Sequence, residues 1–279
     1  MDILHEFVFN KIYILESLQE VDLKTGKELA DFIKDDLNYK NILFISVNSK
    51  NEFLKCFENI LAETSEYSYP IIHLEIHGSR EGLLLSNKEF IFWEELKTHL
   101  QRINIRSKNN LFLTLAVCSG RYLETILVDC INEPAPFFGL IGSTDILFSS
   151  NISIGFKEYY KFMLDEKRDH RNIVKEAEVI LNVYNRSAPY KTSFSKTVFF
   201  KGFVRYLINT EEQNKIERRV RIRLPFASKK KRKKAVEIFN RMIFNDFKEK
   251  FFMLDIFPEL SANIEMNYEN IIKFIDEKM

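Results

Sequence analysis

YPIIHLEIHGS, residues Tyr69 to Ser79, and NLFLTLAVCSG, residues Asn110 to Gly120, decide how this chain is read. Each starts as a run of apolar and branched residues too short for an independent helix. Each stops at a reactive side chain, His77 or Cys118, with a glycine within two positions. Short, nearly continuous apolar runs suit strands buried on both faces of a parallel sheet. Outward from these two segments, Lys11–Leu18, Ile42–Val47 and Pro136–Ile141 read as further strands. Gly82–Leu85 and Phe90–Phe92 read as a small hairpin. Between them, Thr25–Leu37, Glu52–Leu61, Trp93–Ile103, Tyr122–Cys130 and Ile154–Met163 carry helical spacing. Thr25 is the expected cap of its helix, with Glu28 as the partner in a capping box. Strand and helix alternate about every 20 residues, the pattern of an α/β fold with an open, mostly parallel sheet and helices on both faces. In such sheets functional groups gather at the carboxyl ends of the strands.

This pattern is expected to fill residues 1–165, and residues 166–279 to form a helix-rich extension. Its helices are Lys175–Tyr184, Lys196–Ile208, Lys234–Phe252 and Tyr268–Glu277. The segment from Arg218 to Lys234 holds ten basic residues and no acidic one, although the net charge of the whole chain is only +1. Arg218, Arg219, Arg221 and Arg223 are expected to flank a short strand, and Lys229, Lys230, Lys231, Arg232, Lys233 and Lys234 to open a helix.

Composition narrows the class. A 46% hydrophobic fraction with only 8 Gly and 6 Pro in 279 residues argues for long regular elements and against disorder. Three cysteines, Cys56, Cys118 and Cys130, are too few for a disulfide scaffold, so a reducing, cytoplasmic setting is expected. Met1–Glu16 carries Asp2, His5, Glu6 and Lys11 and does not read as a secretory signal. No segment approaches the roughly 20 apolar residues that span a bilayer.

If the two opening strands are neighbours, His77 and Cys118 leave the same sheet edge with one strand spacing of about 4.8 Å between their strands. A free thiol, with a pKa of about 8.5, is mostly protonated at neutral pH. An adjacent imidazole takes that proton and frees a thiolate to attack a carbonyl. Backbone N–H groups of Gly78 and Cys118 are placed to receive the oxyanion that develops. The other candidates read more plainly. His73 is expected to be structural. Glu16 borders the site or caps a turn. Cys56 is buried in a helix, Cys130 is inert, and Arg80 and Glu81 sit in the turn beside His77. Two histidines and one cysteine form no compact zinc cluster, so neither a metal nor a cofactor is implied.

His77-Gly78-Ser79, Gly82-Leu83-Leu84-Leu85 and Ala116-Val117-Cys118-Ser119-Gly120 together resemble the caspase-like (clan CD) cysteine peptidases, nearest to the CHAT-domain protease branch. That branch has a His-Gly after one strand, a short returning hairpin, a helix opened by an aromatic residue (here Trp93), and a Cys closing the next strand. The resemblance covers Lys11 to Leu164 and implies a cysteine endopeptidase with a His77–Cys118 dyad, oriented by a backbone carbonyl. Caspases proper carry Gln two residues before the cysteine, where this chain has Ala116, so cleavage after Asp is not expected. Other members take a basic P1 residue through an acidic pocket side chain. Asp145, in Gly142-Ser143-Thr144-Asp145, is the first candidate, with Glu75 and Asp129 behind it. The branch's tryptophan near this step is absent, with Leu147 and Phe148 in its place. The resemblance further implies a protein substrate, a sensor or regulatory partner, and a role as an antiviral defence effector. Two other classes stay open: an inactive interaction module on the same fold, and a protein that binds nucleic acid or an anionic surface through residues 218–234.

Overall fold

The computed structural model describes residues 8–165, 173–264 and 266–278. The strands are β1 (Lys11–Ser17), β2 (Ile42–Ser46), β3 (Pro70–Gly78), β4 (Gly82–Leu84), β5 (Phe90–Phe92), β6 (Phe112–Ala116), β7 (Gly139–Ser143) and β8 (Tyr190–Phe194). The helices are α1 (Thr25–Asp31), α2 (Lys50–Glu63), α3 (Trp93–Arg106), α4 (Tyr122–Leu127), α5 (Ser149–Met163), α6 (Ile173–Tyr184), α7 (Ser195–Ile208), α8 (Thr210–Arg223), α9 (Lys229–Phe251) and α10 (Tyr268–Lys278). A π-helical turn, Phe32–Asp36, continues α1, and a 3-10 segment covers Pro258–Asn263.

The main sheet runs β2-β1-β3-β6-β7-β8, with β4 and β5 as a hairpin attached to β3. All pairings from β2 to β7 along that path are parallel, and β8 is antiparallel to β7. The expected α/β sheet flanked by helices is therefore present, and it is mixed. The chain divides into two compact units. The first is residues 1–126 with 136–194, and the second is residues 127–135 with 195–279. The expected boundary at 165/166 thus moves: α6 and β8 belong to the sheet unit. Residues 166–172, beside the expected boundary, lie outside the described residues, as do residues 1–7 of the Met1–Glu16 segment. Among the described residues, no helix is long and apolar enough to cross a membrane.

The pattern of burial explains why the strands read as unbroken apolar runs. On β3, residues Pro70 to Ile76 are all buried, and on β6 every residue is buried. One face packs Ile12, Ile14, Ile71, Phe112 and Ile141 against Leu29 of α1, Phe156 and Tyr160 of α5 and Leu181 of α6. On the other, Leu15, Ile72, Leu74, Leu113 and Leu115 are equally buried. There α2 and α3 pack on one another, and Glu63 at the end of α2 holds Lys11 and Tyr13 of β1.

Three local readings change. Thr25 begins α1 but does not cap it; its hydroxyl donates to Glu75 Oε2 at 2.8 Å. The cap comes from the neighbouring strand, where Glu16 Oε1 accepts the N–H groups of Gly26 and Lys27 at 3.0 and 3.1 Å. β8, with the polar run Tyr190-Lys191-Thr192-Ser193-Phe194, went unread because an edge strand needs no apolar alternation on both faces. Arg218, Arg219, Arg221 and Arg223 flank no strand. They lie in α8, which Asn209 caps through the N–H groups of Glu211 and Glu212. In the second unit the core is aromatic: Phe203 packs edge-on to Phe244 with ring centroids 5.0 Å apart, and Phe199 meets Phe251 and Phe252.

A buried polar chain crosses the sheet face under α5. Tyr160 OH donates to Thr114 Oγ1 (2.8 Å), Thr114 to His73 Nδ1 (2.8 Å), and His73 Nε2–H to Glu75 Oε1 (3.2 Å). This direction uses every donor once and assigns the tautomer of His73. Burial holds the Tyr160 phenol well above its usual range, so it stays a donor. Removing one link strands its partners away from water. Thr114→Val, which keeps the shape, is expected to cost about 1–3 kcal/mol. Chemical denaturation would register this as a lower midpoint at an unchanged m value.

Candidate active site

The register of β3 and β6 runs the two segments side by side. His73 pairs with Thr114 and Glu75 with Ala116, where the ladder ends; His77 follows two residues after Glu75 and Cys118 two residues after Ala116. Both side chains line one open pocket of about 370 Å³, along with Asp22, Thr25, Glu75, Ala116, Leu147 and Ile152. The two segments expected to be neighbouring parallel strands are neighbours, and both residues line the same pocket. The strand ends touch closely enough to require glycine at position 78. A Cβ there would lie 2.3 Å from Val117 Cγ1 and 2.6 Å from the backbone oxygen of Cys118.

The hairpin fixes where the Gly78 amide points. Ser79 N–H donates to Gly82 O at 2.8 Å, which makes Ser79 and Gly82 a hydrogen-bonded pair. Pairs alternate along an antiparallel ladder, so Gly78 and Leu83 form a non-hydrogen-bonded pair. The Gly78 N–H therefore turns away from β4.

Cys118 stands on a sharp turn. Ser119 has φ 56°, in the left-handed region that non-glycine residues seldom adopt. The turn is tied to the end of β7: Ser119 N–H donates to Asp145 O and Arg121 N–H to Ser143 O, each at 3.0 Å. Within it, Gly120 N–H donates to Val117 O at 3.0 Å. The N–H of Leu147 donates to Cys118 Sγ at 3.3 Å. Cys118 is partly exposed, whereas Cys56 is buried in α2 and burial pushes its thiol up. No two of Cys56, Cys118 and Cys130 are joined.

The residue that sequence reading missed is Asp22. Its Oδ2 lies 2.8 Å from His77 Nε2 and also accepts the Gln19 N–H at 2.8 Å. The resemblance implied a backbone carbonyl in this role, and a carboxylate holds it here. No motif announced Asp22, because it sits in the irregular loop between β1 and α1. The sequence signal available was an acidic residue shortly after a strand that proves to neighbour β3. With Nε2 engaged, Nδ1 is the imidazole nitrogen that Asp22 does not occupy.

The expected specificity residues separate. Glu75 lines the pocket and is 2% exposed, held by Thr25 and His73. Beside it on β1, burial pushes the Glu16 carboxyl above its ordinary value; the N–H groups of Lys27 and Gly26 oppose that shift, and the charge of Glu75 adds to it. Asp145 is exposed, hydrogen-bonds Thr144 and is not among the pocket-lining residues, although its backbone oxygen holds the Ser119 turn. Asp129 belongs to the second unit, where it pairs with Arg205 at 3.1 Å. Arg80 lies over the Tyr122 ring, 5.2 Å from its centroid, and Glu81 accepts from Ser79 Oγ at 2.7 Å. Among the described residues, no cluster of His, Cys, Asp and Glu is arranged to hold a metal ion. Compared with models of known protein families and with curated proteins, the chain matches none.

The hydrogen bond from His77 holds the Asp22 carboxyl below its usual range. A carboxylate with a lowered folded value stabilises the fold at pH above its unfolded value, near 3.8, and loses that contribution as acid titrates it. Asp22→Asn is therefore expected to lower stability by less than about 1 kcal/mol at neutral pH, given the partial exposure of the pair. The gap from wild type should close as pH falls below about 4. Thermal melts of both proteins across that range measure it, and a gap that widens in acid would contradict the assignment.

Proposed function

We propose that this protein is a caspase-like cysteine endopeptidase of the CHAT-related type, with Cys118 as nucleophile, His77 as base and Asp22 as its orienting carboxylate. The observation that carries the reading is the shared pocket of Cys118 and His77, with His77 Nε2 held by Asp22. The order of parts supports the caspase-like version of the fold: His77-Gly78 closing β3, the β4–β5 hairpin, α3 opened by Trp93, and Cys118 after β6.

In this reading His77 Nδ1 takes the thiol proton as Sγ attacks the scissile carbonyl. The N–H groups of Gly78 and Cys118 receive the tetrahedral oxyanion. The imidazolium then gives its proton to the leaving amine, and a thioester to Sγ remains. Water, deprotonated by the same nitrogen, hydrolyses the thioester and restores the thiol. Asp22 favours the cationic imidazole formed in between and holds the tautomer with hydrogen on Nε2.

A basic P1 residue fits the charge of the pocket. Its lining holds two acids, Asp22 and Glu75, and no lysine or arginine. Asp22 is committed to His77, which leaves Glu75, opposite the small Ala116, as the group for a guanidinium or ammonium. A role as a defence effector controlled by a sensor protein extends the same proposal and rests on the sequence resemblance.

Two measurements test the reading. A peptidyl-arginine acyloxymethyl ketone should add its mass to the wild-type protein and not to Cys118→Ala. Asp22→Ala should slow labelling by on the order of 10²- to 10⁴-fold, the usual contribution of acid–base machinery. Equal labelling of wild type and Cys118→Ala would overturn the assignment. Glu75→Gln should reduce labelling by the arginyl probe at least tenfold relative to a probe with an uncharged P1 residue, since a desolvated charge pair contributes more than an exposed one. An unchanged ratio would remove Glu75 from substrate recognition while leaving the nucleophile in place.

A further inference from the structure

The basic tract takes no part in the chemistry above, and its arrangement in the second unit is unusual. α9 opens with six consecutive cations, Lys229–Lys234, and has no acidic residue in its first turn. That end of a helix carries the positive pole of the backbone dipole and ordinarily favours acidic side chains. The facing end of α8 adds Arg221 and Arg223 in its last turn. Between the two helices lies an open cleft of about 1090 Å³ lined by Arg221, Lys229, Lys230, Arg232 and Lys233, with Glu217 as its one acidic residue. Such a concentration of charge repels itself unless an anion joins it.

Apolar side chains crown the same apex. Phe226 is 100% exposed, Ile222 70% and Leu224 41%. The loop that presents them is anchored, since the Arg232 guanidinium donates to Pro225 O at 2.8 Å and Ser228 caps α9 through the Lys231 N–H. Bare apolar side chains ringed by lysine and arginine are the composition of elements that lie in the interface of an anionic bilayer. A polynucleotide would satisfy the cations but has no use for Ile222 and Leu224. A stacking platform also needs several open aromatic rings within the basic groove; Phe226 is fully exposed, whereas Arg223 already lies over the ring of Phe239.

We propose that the α8–α9 hairpin is a docking element for anionic phospholipid membranes. Ile222, Leu224 and Phe226 enter the headgroup region, and the cations of the cleft meet the lipid phosphates and carboxylates. The inference is independent of the peptidase reading.

The test is sedimentation of the full chain with vesicles of phosphatidylcholine alone or with roughly 30% phosphatidylserine, across a range of salt. Binding should need phosphatidylserine and weaken as salt rises. Phe226→Ser should lower the partition coefficient roughly tenfold, as expected for withdrawing a large apolar side chain from the interface. The combined Lys230→Gln, Lys231→Gln and Lys233→Gln variant should lower it about a hundredfold, at about fivefold per charge. All four positions are exposed, so thermal melts matching wild type are expected and tie any loss to the surface. Absence of enrichment on phosphatidylserine vesicles overturns the proposal. So does tighter binding to single-stranded or duplex nucleic acid that Phe226→Ser leaves unchanged.

Discussion

The pairing of β3 with β6 is the constraint on which the candidate site depends, because side chains alternate along a strand and the register decides what faces what. His73 lies opposite Thr114 and Glu75 opposite Ala116, each two residues short of the reactive pair at the next position on that face. A slip of one residue would shift His77 relative to Cys118 and turn the whole strand over. The buried polar chain opposes any such slip. His73 is wholly buried, and its two ring nitrogens are satisfied by Thr114 and Glu75. Shifting β3 against β6 would break the hydrogen bond between Thr114 and His73 and leave a buried hydroxyl and a buried ring nitrogen unpaired, at about 1–3 kcal/mol for each. The polar residues under α5 thus specify geometry at the sheet edge several residues away.

Two carboxylates lie side by side on the same face, since Glu16 of β1 pairs in register with Glu75 of β3. Like charges at this spacing repel, and both side chains are almost fully out of water. Hydrogen bonds make the pair tolerable. Glu16 takes two N–H groups from the positive end of α1, and Glu75 takes the Thr25 hydroxyl and the His73 ring. Gly26 eases this approach, because a Cβ there would sit tightly against Glu75 Cγ at 3.0 Å and Glu16 Oε1 at 3.1 Å. The same bonds fix the first turn of α1, and Asp22 lies three residues before that turn. The acids that give the pocket its charge also position the loop carrying the partner of His77.

Much of this was legible in the sequence, for a physical reason. Strands buried on both faces have to be apolar throughout, so β3 and β6 stood out as unbroken runs, and the reactive residue ending each was visible. The hairpin and the helix opened by Trp93 were legible because Gly and the 3.6-residue period mark them. What escaped depended on partners distant in the chain. Thr25 looked like a cap by local rules, yet a carboxylate from β1 performs the capping and leaves the hydroxyl for Glu75. β8 is polar because it sits at an edge, and polar edge strands look like loops. The arginines of α8 looked like a strand flank because their alternation with Val220 and Ile222 imitates period two. Asp22 carried no motif, since its meaning arises only when β1 is known to lie beside β3.

That last point follows from the order of the sheet. β1, β3, β6 and β7 are successive neighbours and run parallel, so their carboxyl ends all reach one edge. The loops that leave those ends deliver Asp22, His77, Cys118 and Leu147 in the same left-to-right order as the strands. Asp22 bonds to His77, Leu147 N–H meets the sulfur of Cys118, and all four residues line one pocket. β8 is antiparallel and brings only its amino end, Tyr190, to that edge, alongside Ser143. No loop following β8 can therefore enter the series, which ends at β7. A carboxylate, an imidazole, a thiol and an amide N–H collected along one edge are what a parallel sheet yields when each of its neighbouring strands contributes one group from the same end.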